Sequence, residues 1–104
     1  MTLYLTNGFS LNMLQPEIAC SCRLTVREYR GTEAVVKGAR SIVGHADMAR
    51  LLGVPMHRET VQLGYDDQCI VAQYTGPRLP EGCTILPDGA SIKLYFVTIE
   101  EDLR

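Results

Sequence analysis

No run in this sequence approaches the roughly 18 consecutive apolar residues that a membrane-spanning helix requires. The opening residues, Met1-Thr2-Leu3-Tyr4-Leu5, lack the basic start and long apolar stretch of a secretory signal. The expected compartment is therefore the cytoplasm, with no membrane partner. Charge of one sign is also scarce: the formal net charge is -2 and the pI about 5.6. A general duplex-binding surface is usually strongly basic, so duplex nucleic acid is not an expected partner. A nucleic-acid ligand would have to be a small piece held in a local cationic pocket. Metal-binding patterns are missing as well. There is no H-E-x-x-H and no D-x-D loop, and only two histidines occur. Gly31, Gly38 and Gly44 do not have P-loop spacing. Four cysteines, Cys20, Cys22, Cys69 and Cys83, make no C-x2-C pair. Cys20 and Cys22, placed two apart on an expected strand, share a face and read as buried small hydrophobes. No metal, cofactor or oxidising compartment follows from these counts.

What is present suits a single domain spanning residues 1–104. With 46% hydrophobic and 21% charged residues the mixture is that of a globular chain, not a disordered one. Leu3-Tyr4-Leu5-Thr6 reads as a buried strand stopped by Asn7-Gly8. Ile18, Cys20, Cys22 and Leu24 alternate with Ala19, Ser21 and Arg23, a period-two strand pattern. Thr25-Val26-Arg27-Glu28 fits a capping box and predicts a short helix ended by Gly31. Residues 32–40 are compatible with a further helical turn or a mobile loop. A helix is expected over Ala46 to Leu52, closed by Gly53 and Pro55. Val61 and Leu63, alternating with Thr60 and Gln62, predict a strand. Tyr65-Asp66-Asp67-Gln68 suits a hairpin turn into a strand over Cys69 to Tyr74, which Gly76-Pro77 breaks. Ile92 to Ile99 is apolar at nearly every position and is expected near the centre of the sheet. Glu100-Glu101-Asp102 reads as a solvated acidic end. The fold class is α+β: one small domain, a mixed and mostly antiparallel sheet with flanking helices.

Few residues are suited to chemistry. His45 follows Gly44 at an expected helix start, where free backbone N–H groups and the helix dipole favour an anion. An imidazole there is suited to proton transfer near neutrality; the competing reading is a capping or packed histidine. His57 reads as an exposed loop residue. Arg58 and Arg78 flank the expected hairpin, whose ends would bring two guanidinium groups together on phosphates; otherwise they are solvated surface arginines. Glu81, three residues after Arg78 and next to Pro80, is placed to orient an arginine or accept a ribose hydroxyl.

Taken in order, Asn7-x-x-Ser10-x-Asn12, Ser41-Ile42-Val43-Gly44-His45, Arg58, Gln73 and Arg78-Leu79-Pro80-Glu81-Gly82 form a set. The set resembles the viral ring nuclease family, the type III anti-CRISPR proteins of viruses. The Gly-His before a helix and the Arg-Leu-x-Glu-Gly loop carry most of the likeness. Val43 stands as an extra residue before Gly44-His45, and Gly76-Pro77 lengthens the approach to Arg78. The resemblance implies a homodimer that binds cyclic tetra-adenylate. It implies catalytic roles for His45, as general acid, and for Arg78 and Glu81. It also implies ligand contacts from Asn7, Ser10, Asn12, Gly44, Arg58 and Gln73, with no metal and no cofactor.

The implied reaction is a metal-independent phosphodiester cleavage. A ribose 2′-OH attacks in line, His45 protonates the departing 5′-oxygen, and Arg78 stabilises the phosphorane. Two cuts would give linear di-adenylates and switch off type III CRISPR signalling, in the host cytoplasm if the gene is viral. Two other readings use the same residues or fewer. One is a module that sequesters the cyclic nucleotide with negligible cleavage. The other is a small protein-interaction domain working through an exposed sheet edge.

Overall fold

The computed structural model describes residues 2–82 and 84–101, with Leu11 described by its backbone alone; Cys83 and Asp102 lie outside the described residues. Three strands run parallel: β1 (Leu3–Thr6), β3 (Arg40–Ser41) and β4 (Gln68–Thr75). β4 pairs antiparallel with β5 (Ser91–Glu101), and β5 with β2 (Cys22–Glu28). The five-stranded sheet has the order β2-β5-β4-β1-β3. The sheet is mixed, its antiparallel ladders are the longer ones, and the class is α+β. β5 is flanked on both sides, but the middle strand is β4. Strands bonded on both edges and covered on both faces read as apolar runs. Accordingly Leu5, Cys69, Ile70 and Ala72 are fully buried.

The two faces of the sheet are covered differently. On one, Leu5, Ile70 and Ala72 meet Val36 of α2 (Glu33–Gly38) and Met48 and Ala49 of α3 (Ala46–Leu52). Thr32 caps α2 through its side chain, and a Glu33–Lys37 pair supports it at i,i+4. Gly53 ends α3 at φ 70°, the left-handed conformation that glycine adopts without steric cost. On the other face Tyr4, Cys69, Val97 and Ile99 pack against Leu14, Val61 and Leu63. That cover is mostly irregular: a 3₁₀ turn (Leu11–Met13), the single turn α1 (Pro16–Ala19), and the chain through Val61 and Leu63.

The structure departs from the sequence expectation in several segments. Residues 18–21 are not strand, because Pro16 at the first helical position and Glu17 start α1. Cys20 therefore caps a helix and is exposed, and Cys22, at the start of β2, is only partly buried. Thr25 to Glu28 lies in β2, where Thr25 and Val26 face Thr98 and Val97 across the ladder. Pairing with β5 overrides the local capping pattern. Val61 and Leu63 are buried as their alternation implies, yet they join no strand. Their neighbour is the turn before α1, and only an isolated Leu14–Leu63 bridge forms. The turn at residues 64–67 exists, with Asp67 N–H donating to the Gly64 carbonyl and Gly64 N–H to Asp67 Oδ2. It joins an irregular segment to β4, so it is not a hairpin.

Candidate functional site

Because β1, β3 and β4 are parallel, their carboxyl ends emerge at one end of the sheet. In open sheets with parallel strands this is where ligand crevices form, especially where neighbouring connections diverge. β1 lies between β3 and β4, so its end is such a point. A cavity of about 860 Å³ opens there.

Asn7 leaves β1 through a turn in which Thr6 Oγ1 donates to the Gly8 carbonyl and accepts from Gly8 N–H. Its Oδ1 accepts from Gly44 N–H at 3.2 Å, fixing the approach to α3. His45 is the N-cap of α3, and its Nδ1 accepts from Met48 N–H at 3.3 Å. That bond requires a lone pair on Nδ1, so the neutral ring carries its hydrogen on Nε2. The bond also corrects the picture of an open anion receptor. Met48 N–H is engaged by the imidazole, and the carboxylate of Asp47 sits in the first turn, on the cavity wall.

The far wall comes from the chain after β4. Gly76 has φ 146°, and a Cβ placed there would meet Ala90 Cα at 2.7 Å, so glycine is required. Tyr74 Oη donates to the Pro77 carbonyl. Leu79 packs against the core, which leaves Arg78 and Glu81 exposed on the cavity wall. Among the described residues neither Arg78 nor Glu81 is engaged in a hydrogen bond or ion pair.

Five of the residues singled out in the sequence thus line one cavity: Asn7, His45, Gln73, Arg78 and Glu81. Gly44 adjoins it through Asn7. Arg58 does not line it; Arg58 Nε donates to the Gly44 carbonyl at 2.9 Å, so this arginine braces the histidine loop. The convergence of Arg58 and Arg78 at hairpin ends falls with the hairpin itself. Ser10 and Asn12 line a separate hollow of about 230 Å³, with Glu59 and Thr60. His57 is exposed and 3.3 Å from Glu59. Asp47 and Tyr74 are wall residues that sequence reasoning missed. Asp47 carried only the signal of an acidic residue in a helix first turn, which is ordinary. Among the described residues, no three His, Cys, Asp or Glu side chains gather as a metal site, and no helix is long and apolar enough to cross a membrane.

A search of curated proteins finds no match. Among solved structures, B116 of Sulfolobus turreted icosahedral virus (STIV) superposes with a TM-score of 0.67. It is 22% identical, over 94% of this chain and 99% of that one, a likeness of fold alone. The model of the STIV B116-like family matches residues 3–89, a span that includes every candidate residue from Asn7 to Glu81. The chain belongs to the STIV B116-like family.

Proposed function

We propose that this cavity binds cyclic tetra-adenylate and that the protein, as a homodimer, cleaves it without metal. The observation that carries the reading is the convergence of His45, Arg78, Glu81, Asn7 and Gln73 on one open cavity, from four separate parts of the chain. Arg78 is the only Arg or Lys among the described lining residues, and among the described residues its guanidinium has no partner, as a phosphate contact needs.

In the proposed reaction the ribose 2′-OH gives up its proton to water as its oxygen forms a bond to phosphorus, and the bond to the 5′-oxygen breaks. The leaving oxygen takes a proton from His45, and a 2′,3′-cyclic phosphate remains. In its neutral form His45 holds the helix start through Nδ1 and has Nε2 left for the ligand. Its acid form, with N–H on both nitrogens, has no lone pair for Met48, so charging the ring frees it from the cap. Arg78 takes up charge on the phosphorane. A second copy facing the first would set two His45 rings on opposite phosphates of the ring and yield two di-adenylates. Since the family is named for a viral protein, we place this activity in the cytoplasm of an infected host, against type III CRISPR signalling.

The test is incubation with labelled cyclic tri-, tetra- and hexa-adenylate, with and without EDTA, resolving products by chromatography. Cleavage of the tetramer to linear di-adenylates in EDTA is expected. Loss of activity in EDTA with recovery on adding a divalent ion overturns the metal-free reaction. Binding without products makes the protein a sequestering module. Neither binding nor cleavage points to protein interaction.

A further inference from the structure

Asp47 is placed where no sequence motif would look for a functional residue. Its side chain is 15% exposed, and one oxygen, Oδ1, accepts two hydrogen bonds. One comes from Arg50 NH1 at 2.9 Å, three residues on. The other comes from Gly82 N–H at 3.1 Å, 35 residues away. The second bond joins the first turn of α3, two residues after His45, to the chain directly after Glu81.

The geometry points to Asp47 as the positioning residue that fixes the Arg78–Gly82 segment against His45. This role rests on the cleavage reading above. The segment is pinned at its start, where Tyr74 Oη reaches the Pro77 carbonyl and Gly76 lies against Ala90. Asp47 supplies the pin at its end. Between the pins, Leu79 packs inward and Pro80 limits the backbone, so the path of the chain that carries Arg78 and Glu81 is fixed there. A carboxylate on the wall of a phosphate pocket would ordinarily repel the ligand. Here two N–H donors already engage it, one of them cationic, which lowers that repulsion. Catalysis is sensitive to misplacement of about 1 Å, so loss of the end pin should reach the rate without any contact between Asp47 and the ligand.

The experiment compares Asp47→Ala with Asp47→Asn in the full chain. Asparagine keeps an Oδ1 acceptor for Gly82 N–H and drops the charge. The first readout is amide hydrogen exchange at Gly82 by NMR, with the Met48 amide as the control for an intact histidine cap. The second is kcat and KM on cyclic tetra-adenylate. In Asp47→Ala, Gly82 exchange should rise on the order of tenfold, Met48 should stay protected, and kcat should fall more than KM rises. Asp47→Asn should restore both readouts to within a few-fold of the parent. Unchanged Gly82 exchange in Asp47→Ala overturns the proposal. So does an Asn variant as slow as the Ala variant while Gly82 stays protected, because Asp47 would then act through its charge or a proton. If the parental protein cleaves nothing, the functional reading fails, and the exchange measurement still decides whether the clamp exists.

Discussion

β1 and β4 each pass through two environments, and the contrast organises the molecule. In the sheet interior Leu5, Cys69, Ile70 and Ala72 are fully buried. Just beyond, at the carboxyl ends, Asn7 is partly exposed and Gln73, Arg78 and Glu81 are exposed. Each large apolar side chain in the interior contributes about 1.5–3 kcal/mol by leaving water. The exposed groups at the ends contribute little to folding, and for that reason their hydrogen-bonding capacity is available to a ligand. Stability and chemistry are thus assigned to different stretches of the same strands.

The sharpest test of that division is His45→Asn. Asparagine is a strong N-cap, so it should hold Met48 N–H and leave the thermal midpoint near the parental value. It has no titratable proton to give, so single-turnover cleavage should fall about 10²- to 10⁴-fold, or roughly 3–5 kcal/mol of barrier. His45→Ala should match that rate loss and add about 1 kcal/mol of destabilisation from the lost cap. An Asn variant that cuts at the parental rate would refute the catalytic assignment and leave His45 a cap only.

Ile70→Ala addresses the interior. It should cost about 2–5 kcal/mol in denaturant unfolding, with the cleavage rate per folded molecule unchanged. A rate change in fully folded Ile70→Ala would show that the two regions are coupled.

Gly76 stands on the border. An alanine there must hold a positive φ and fit a Cβ against the Ala90 backbone, at a cost of about 1–3 kcal/mol. It also anchors the chain that carries Arg78 and Glu81. Both the unfolding free energy and kcat/KM should therefore decline in one variant, which neither of the previous substitutions should do.

The smallest effect at neutral pH is expected from Cys69. Burial pushes its thiol up to about 12, from an ordinary value near 9. The folded chain then keeps a proton that the unfolded chain releases. The associated stability is complete below pH 9 and is lost as pH climbs towards 12. Cys69→Ala should remove this component from the alkaline slope of the denaturation midpoint. At neutral pH, exposed Cys20 should react with a maleimide while Cys69 stays unreactive until the protein unfolds.

By itself the sequence determined the elements whose signals are local and strong. β1, β4 and β5 were legible because buried strands need runs of apolar residues. The helix after His45 was legible because Gly53 and Pro55 stop it. Val61 and Leu63 announced their burial correctly, though not their pairing, since alternation reports a half-buried extended chain and says nothing about its partner. The fate of Thr25 to Glu28 was decided elsewhere, by the β5 ladder. At the site, the sequence marked His45, Arg78, Glu81, Asn7 and Gln73 as residue types in order. It placed Arg58 with Arg78 through a hairpin that does not form, and it gave no hint that Asp47 meets Gly82. Only the tertiary structure decided these points, because a hydrogen bond across 35 residues depends on where two strand ends and a helix start come to lie, and local sequence carries no record of that distance.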